Sequence, residues 1–531
     1  MKKYLTLLLI IFFPNCIQST EKKSNKIHKS HLQDGWYSQN KETLMQNLSA
    51  YLNIAKQEFP VKTNSDSIKA LIVPHAGYYY SGLCAASAYQ SLIQKNNIKN
   101  QKIKKVIIIA PTHTNYFRGI TLPDYDIYET VLGKIEVDKN AINNLESNLF
   151  KIDSQTHNQE HAIEIQLPFL QQTIQNFKII PLIVGQLNSN EYNEIAKKLK
   201  SIIDENTLIV ISSDFTHYGK NFDYTPFKKD IFYNVKNIDS QAIEAISNLS
   251  FNNFKEVLRN TKATICGQGA IKILLELINQ NAFEKINKPQ LVCYYTSPQL
   301  QNAKKENQHS VNTKNLFENI PDSEMQHSVS YASLIFNNQD LSQLKKEDLL
   351  TRYERKALLN EVRNIISNHF LQNPIKQELL YPIKSFSIQQ KSGAFVTLNT
   401  KSGNLRGCIG RIMTPDPLYK TIADMSLAAA FNDTRFKPLT KEELNNVVID
   451  ITILTQPKTI KSYNDIILGK HGIILKKNGL SAVFLPQVPT GFGWNLQTTL
   501  EHLSQKAGLS KDAWKQNCNF EVFEGFEIKE K

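Results

Sequence analysis

Four short apolar runs rich in β-branched residues constrain the fold of this chain more than any other feature. They are 70–74, 105–110, 179–184 and 208–211. Strands that are buried on both faces of a parallel sheet have this composition. Longer amphipathic stretches, such as 189–204, lie between the runs. The alternation predicts an α/β layer fold with a mainly parallel sheet.

A chain of 531 residues is too long for one ordinary domain, and a polar stretch divides it. We predict a first domain over 31–337, a linker over 338–347 and a second domain over 348–527. The second domain opens with a helical pattern, continues with alternating strand-like runs and closes with another helix. Mixed order of this kind is typical of a compact α+β domain, here smaller than the first.

The N-terminus has the pattern of a targeting signal. Lys2 and Lys3 precede an apolar run that is too short to span a bilayer, and Cys16 follows it. We expect 1–16 to be a signal peptide or a lipoprotein signal with a lipidated Cys16, followed by a flexible lead-in over 17–30. The protein would then be exported, periplasmic or membrane-anchored in a bacterium. The alternatives are an uncleaved tether, or a cytoplasmic protein if this segment is not a signal.

Charge and cysteine content argue against three other classes of protein. The net charge is +13, but the lysines are scattered and no basic cluster is interleaved with aromatic residues. We therefore expect no nucleic-acid partner. The six cysteines form no CxxC pair and have no regular spacing. This argues against a zinc ribbon and against a dense disulfide framework.

Ligand-capable side chains follow several of the predicted strands. His75 comes directly after one apolar run and His113 closely after the next, while Cys266 precedes a glycine further along the chain. In open α/β sheets, ligands bind outside the carboxyl ends of the strands, so these side chains can converge. Two imidazoles and a thiolate form a suitable set of ligands for a divalent transition metal.

Four further polar residues are candidates for supporting or acid–base roles beside such a metal. Asp214 and His217 follow a third apolar run, and His161 and Glu164 lie one helical turn apart. The spacing of the second pair predicts that both residues lie on one face of a helix. Each of the four could orient a ligand or transfer a proton.

A separate group of candidates lies in the second half of the chain. Glycines flank Cys408 in the string LRGCIG, and we expect them to allow a tight turn that exposes the thiol. Arg406 could lower the pKa of that thiol or hold an anion. Asp433 and Arg435 are candidates for an ion pair. The alternative for Cys408 is a residue that is merely packed in the turn.

Six ordered motifs in the first half resemble the Memo family. They are VPHAGY at 73–78, APTH at 110–113, EHAIEIQLP at 160–168, SSDFTH at 212–217, TICG at 264–267 and SVSY at 328–331. That family resembles the class III extradiol (LigB-like) dioxygenases, which are α/β proteins with non-haem iron. The resemblance implies that His75, His113 and Cys266 bind a metal, with iron or copper expected. Two departures are Cys266, where a dioxygenase has a carboxylate, and Thr114, where Memo proteins often have histidine.

The second half resembles the AMMECR family. The matching strings are LRGCIG at 405–410, AAAFNDTRF at 428–436, LPQVP at 485–489 and QKAGL at 505–509. Ser504 departs from the family, which often has cysteine at this position. Proteins similar to both families occur together with a radical-SAM enzyme in the AmmeMemoRadiSam system, which implies such a partner here. The chain has no CxxxCxxC cluster of its own.

These features favour a redox enzyme or redox accessory protein that binds iron or copper. The second domain would assist the recognition of a substrate or partner. Whether it is an oxidoreductase that turns over a substrate stays open, because Cys266 is a soft and oxidisable ligand. One alternative is a non-catalytic module that binds a metal or a peptide. Another is a scaffold for the radical-SAM partner.

Overall fold

The structure is a computed structural model that describes residues 25–94, 98–304, 311–340 and 344–530. The expected signal at 1–16, with Cys16, lies outside the described residues. Among the residues that are described, no helix is long and apolar enough to cross a bilayer.

The first half builds a 12-stranded mixed sheet with a parallel centre, as predicted. The strands are β1 Ile27–Lys29, β2 Ile68–Val73, β3 Lys105–Pro111, β4 Ile120–Leu122, β5 Ile127–Thr130, β6 Gly133–Val137, β7 Phe150–Ile152, β8 Lys178–Val184, β9 Thr207–Ser212, β10 His217–Gly219, β11 Gln290–Thr296 and β12 His327–Asn337. The four apolar runs form β2, β3, β8 and β9, which pair in parallel in the order β8-β3-β9-β2. Because their carboxyl ends share one edge, the residues that follow them meet there.

Helices cover this sheet and bury nearly every side chain of its central strands. They are α1 Lys41–Glu58, α2 Tyr78–Tyr89, α3 Lys139–Leu145, α4 Ser154–Gln159, α5 His161–Glu164, α6 Leu167–Thr173, α7 Glu191–Lys200, α8 Ile231–Ser247, α9 Phe251–Thr261, α10 Gln268–Asn279 and α11 Ser297–Ala303. The amphipathic stretch 189–204 contains α7, as expected. Helices α1, α2 and α6 pack together, and α7, α9 and α10 form a second group.

The flexible lead-in expected over 17–30 is wrong for its last residues. Strand β1 pairs in parallel with β5, matching Ile27 with Ile127 and Lys29 with Glu129. The imidazole of His28 is buried beside the ring of Tyr128. The polar composition of this segment predicted that it is solvated. The edge of β5 instead provides it with backbone hydrogen bonds, and the ring of Tyr128 buries His28, which composition does not reveal.

The second half is α+β, as predicted, with two four-stranded antiparallel sheets in the orders β14-β13-β15-β20 and β16-β19-β17-β18. The strands are β13 Ala394–Thr400, β14 Leu405–Arg411, β15 Val447–Leu454, β16 Lys458–Ile460, β17 Gly472–Lys477, β18 Leu480–Phe484, β19 Asn519–Phe523 and β20 Gly525–Lys529. The helices are α12 Arg352–His369, α13 Gln377–Leu380, α14 Leu418–Leu427, α15 Lys441–Leu444, α16 Gln487–Gly491 and α17 Leu496–Lys506, with a π-helical turn at Ala428–Asn432.

Helix α12 joins the two halves. Its residues Leu358 and Val362 belong to the core of the second half. Tyr353, together with Ile383, is buried in the core of the first half. The hydroxyl of Thr351, which caps α12, donates a hydrogen bond to the carbonyl of Leu291 at 2.7 Å. The halves therefore meet through buried apolar contacts rather than through a polar linker alone.

Candidate metal centre

Three elements bring the predicted metal ligands together at the carboxyl edge of the sheet. His75 follows β2, His113 follows β3, and Cys266 precedes α10. Their ligand atoms all lie within 4.8 Å of one another. Sγ of Cys266 is 3.1 Å from Nε2 of His75, and the two imidazole rings have centroids 5.0 Å apart.

The hydrogen bonds of His75 fix which of its ring nitrogens carries a lone pair toward the site. Nδ1 lies 3.0 Å from the hydroxyl of Ser212. That hydroxyl donates its proton to the carbonyl of Ala162 and accepts from the side-chain amide of Gln166. It therefore accepts from Nδ1–H, and Nε2 holds the lone pair that faces Cys266. Burial, assisted by neighbouring histidines, lowers the pKa of His75 well below its usual value, which keeps this lone pair free.

A buried carboxylate orients His113 in the same way. Glu160 accepts from Nδ1 of His113 at 2.9 Å and from its backbone N–H at 2.6 Å. Burial raises the pKa of Glu160, but hydrogen bonds from His113 and the nearby charges of His113 and His161 outweigh it, so the net shift is downward. The ionised carboxylate leaves Nε2 of His113 as the free ligand atom. Carboxylate–histidine pairs of this kind are typical of metal ligands.

The third donor, Cys266, is held close to the end of β9. The backbone N–H of Asp214 points at Sγ from 3.2 Å. A Cβ at Gly267 would come within 2.3 Å of Cβ of Ser213, so only glycine permits this approach. Burial, followed by the charge of Asp214, raises the pKa of the Cys266 thiol. A cation would offset both effects and favour the thiolate, so the donor set of two imidazoles and one sulfur fits a transition metal.

His161 lies at this centre, but Glu164 does not. The ring of His161 is 4.6 Å from that of His113 and stacks on Trp36 at 4.2 Å. Burial lowers the pKa of His161 to about 4. The carboxylate of Glu164 instead accepts hydrogen bonds from the segment that follows β1. The two residues lie one turn apart in α5, as the spacing predicted, but their side chains bond different neighbours.

Asp214 and His217 support the loop after β9. One oxygen of Asp214 accepts the backbone N–H of His75 at 2.8 Å, and burial raises the pKa of this carboxyl. Nδ1 of His217 lies 2.9 Å from the carbonyls of Phe215 and Thr264, so it carries a proton. Asp214 therefore positions a ligand through the backbone, and His217 keeps Nε2 for other partners.

Sequence reasoning missed the residues that fix the ligand tautomers. Glu160, Ser212 and Gln166 each have a specific hydrogen-bonding role at the centre. Glu160 could have been inferred from its position at the N-cap of α5, where its side chain also accepts from Ala162 N–H. Nothing in the sequence indicated that Gln166 reaches the hydroxyl of Ser212.

A cleft of about 860 Å³ opens onto the ligands His113 and Cys266. Arg118, Tyr192, Gln268 and Lys272 are polar residues farther along its wall. The ammonium of Lys272 lies over the ring of Tyr192, and burial lowers its pKa. The cleft is large enough for a small organic molecule to reach the ligand atoms from solvent.

The predicted site in the second half has a different structure. The string LRGCIG forms strand β14, not the expected turn, and Cys408 pairs with Thr397 of β13. A Cβ at Gly407 would lie 2.2 Å from the carbonyl oxygen of Ala429, so this glycine allows close packing against the π-helical turn. The hydroxyl of Thr397 donates to Sγ of Cys408 at 3.2 Å.

The charged residues around Cys408 are paired with one another rather than with the thiol. Arg406 donates two hydrogen bonds of 2.9 Å to the carboxylate of Glu443. Asp433 and Arg435 form the expected ion pair, with a shortest distance of 2.7 Å. Asp433 also accepts the backbone N–H of Cys408, and Arg435 donates to the carbonyl of Cys408. These contacts hold β14 in place and give Arg406 a structural partner.

Comparisons with known proteins agree with this division of the chain. The family described as Memo-like protein matches residues 31–311, and the family described as AMMECR1 matches residues 359–528. Protein MEMO1 of Xenopus tropicalis is 32% identical over 250 residues, which cover 45% of this chain and 80% of the relative. Protein MEMO1 of Homo sapiens is 29% identical over 255 residues, 46% of this chain and 82% of the relative.

A worm protein and a solved structure are also similar to this chain. The memo-1 homolog of Caenorhabditis elegans is 30% identical over 250 residues, covering 45% of this chain and 68% of its own. A crystal structure of an uncharacterised protein from Pyrococcus horikoshii is 29% identical in sequence to the matched part of this chain. The match covers 33% of this chain and 90% of that protein's chain, with a TM-score of 0.29.

Proposed function

Because this chain belongs to the Memo family and carries an AMMECR1 domain in its second half, we propose that it is a metal-dependent redox protein. His75, His113 and Cys266 hold one iron or copper ion. Such an ion supplies one-electron redox chemistry and polarises a small molecule bound beside it.

The observation that carries this proposal is the pair of fixed tautomers. Nδ1 of His75 donates to Ser212, and Nδ1 of His113 donates to Glu160. Both Nε2 lone pairs are therefore available near Sγ of Cys266, within 4.8 Å. Histidines that bind metals usually donate their other ring N–H to such an acceptor, which fixes the tautomer and the ring orientation.

The surroundings of the ligands favour turnover over simple binding. The cleft gives a small molecule access to His113 and Cys266, which a buried storage site would not need. His161 and His217 lie close enough to His75 to influence its pKa, so either could hold or move a proton near the ligands. Asp214 keeps the backbone of His75 in position.

A second candidate function is metal binding without catalysis. The donor at the third position is the thiol of Cys266, whereas non-haem iron oxygenases use a carboxylate there. Sulfur favours softer ions such as copper and is easily oxidised during reactions with oxygen. A protein that only sequesters or transfers the ion, or a scaffold for a radical-SAM partner, is compatible with this donor set.

Metal analysis with a turnover assay tests these alternatives. The full chain should be purified without chelators under anaerobic conditions, and its iron and copper measured for the parent and for His75→Ala. His502→Gln is a matched control because this histidine stacks on Trp494 in the second half of the chain. Loss of metal in His75→Ala, with full metal content in the control variant, supports the site. Oxygen uptake with a reductant in the metal-loaded parent supports an enzyme, and tight binding without uptake supports the second candidate.

We also propose that the protein is anchored to a bacterial membrane through Cys16 and acts beside a radical-SAM protein. The apolar run before Cys16 and the two family resemblances support this. Cell fractionation of the parent and of Cys16→Ser tests the anchor, because only the parent should sediment with membranes.

A further inference from the structure

A second group of ligand-type side chains lies where β1 meets α5. It consists of His28 on β1, His31 just after it, and Glu164 at the end of α5. One ligand atom from each residue lies within 4.8 Å of the other two. The group shares no residue with the centre formed by His75, His113 and Cys266.

His28 is oriented as a metal ligand would be. Its side chain is only 2% exposed. Nε2 lies 3.1 Å from the carbonyl oxygen of His157, so this nitrogen carries the proton and donates it. Nδ1 is then a buried acceptor, and it has no hydrogen-bond partner among the described residues. A buried lone pair without a partner destabilises a fold unless something binds it.

The other two donors lie at hydrogen-bond distance, slightly closer together than two ligands of one ion. Nδ1 of His31 is 2.9 Å from Oε2 of Glu164. Two ligands at the usual zinc distances in a tetrahedral site lie about 3.3 Å apart. The second oxygen of Glu164 accepts from the hydroxyls of Ser30 and Tyr37, each at 2.5 Å, which fixes the orientation of the carboxylate.

We propose that His28, His31 and Glu164 form a second metal site, which takes a zinc-type divalent ion. Nδ1 of His28, Nδ1 of His31 and Oε2 of Glu164 are the ligands. On binding, the ion takes the place of the proton between Nδ1 of His31 and Glu164. That proton leaves to solvent, and the neutral ring of His31 then carries a single proton on Nε2. A nitrogen–oxygen donor set without sulfur suits Zn²⁺, and a water completes four-coordination.

Exposure supports a small coordination number at this site. The side chain of His31 is 33% exposed, whereas that of Glu164 is 1% exposed. An ion can therefore reach the ligands from the side of His31, while the buried side leaves no room for several waters. The site would clamp β1 onto α5, and the residue before α5 is Glu160, which orients His113.

Zinc binding to the full chain tests the proposal without any activity assay. The triple variant His75→Ala, His113→Ala, Cys266→Ser removes the first centre and serves as the background. Equilibrium dialysis against Zn²⁺ should give about one bound ion in this background, as one three-residue site requires. Co²⁺ should give the visible spectrum of a tetrahedral complex. No bound zinc in the folded background would overturn the proposal.

Two substitutions then assign the ligands. His28→Phe keeps an aromatic ring beside Tyr128 but removes the free lone pair. His31→Phe changes a partly exposed position and also removes the contact with Glu164, so its fold is checked separately. Each should abolish zinc binding in the background variant, and cooperative melting in EDTA establishes that each variant is folded. The matched control is His502→Phe, which stacks on Trp494 in the second half and should still bind zinc. Retention of one zinc ion by folded His31→Phe would contradict the assignment.

Discussion

Oε1 of Glu160 accepts a hydrogen bond from Nδ1 of His113 at 2.9 Å, and this contact decides which nitrogen of His113 is free. The same carboxylate also accepts the backbone N–H of His113 and lies 3.2 Å from Nδ1 of His161. One buried negative charge thus organises two of the three imidazoles at the centre.

Replacing Glu160 with Gln should weaken metal binding by about 10–100-fold, as is usual when a partner of a metal ligand is lost. The amide removes the charge and no longer fixes the tautomer of His113. Competition with a metal indicator measures the affinity. Glu146→Gln is the control, because Glu146 is exposed on the surface. An affinity equal to that of the parent would mean that the carboxylate has no part in the site.

Gly267→Ala should displace Cys266 and reduce metal content. The new Cβ would lie 2.7 Å from the carbonyl oxygen of Ser212 as well as against Ser213, so the backbone must move. Overpacking of this kind typically costs about 1–3 kcal/mol of stability. Metal content and urea denaturation should be measured together, with Gly491→Ala as the control because its Cβ would meet open space. Normal metal content in a folded variant would argue against tight positioning of the thiol.

The stability of the first half should fall as the pH drops from about 6.5 to about 4, partly because of His157. Burial lowers the pKa of His157 to about 4, and its neutral ring accepts from Tyr128 and donates to Thr121. The unfolded chain binds a proton at a higher pH, so acid favours unfolding by up to about 1.4 kcal/mol per pH unit. Urea denaturation between pH 7.5 and 5 should show a smaller loss for His157→Gln, which can replace both hydrogen bonds. His502→Gln is the matched control, and equal losses in both variants would contradict this role.

Glu361→Gln should stabilise the protein at neutral and mildly alkaline pH. Burial raises the pKa of Glu361 well above its usual value, against the pull of Lys236, and neither carboxylate oxygen has a hydrogen-bond partner in the described part of the chain. A carboxyl with a raised pKa loses stability as the pH rises above the unfolded value of about 4.5. We expect a gain of about 1 kcal/mol or more at pH 8 and a flatter pH dependence. Glu378→Gln, at an exposed position, should change the free energy of unfolding little. A destabilised Glu361→Gln variant would show that the charge of Glu361 is needed.

The architecture and the convergence of His75, His113 and Cys266 could be predicted because they depend on strong local patterns. Apolar runs predicted β2, β3, β8 and β9, and His75 and His113 follow two of them directly. Once parallel strands are paired, their ends must share an edge, so convergence is a consequence of topology. The domain boundary at 338–347 stays a prediction, since Tyr353 and Ile383 cross it to reach the first core.

The remainder depends on contacts between distant residues, which sequence spacing does not encode. Glu160 and Ser212 act through single hydrogen bonds across elements. The glycines of LRGCIG suggested a turn, but Gly407 serves close packing within a strand. Its spacing made Glu164 a candidate for a supporting role at the metal centre, yet its carboxylate accepts a hydrogen bond from Tyr37, which lies 127 positions earlier in the chain.

Metal content of the triple variant His75→Ala, His113→Ala, Cys266→Ser tests the central claim most directly. Parent and variant should be purified without chelators, and iron and copper measured by elemental analysis, with circular dichroism to establish that both are folded. The account predicts about one iron or copper ion in the parent, as one two-histidine, one-cysteine site requires, and almost none in the variant. A folded variant that keeps the full iron or copper content of the parent would contradict it.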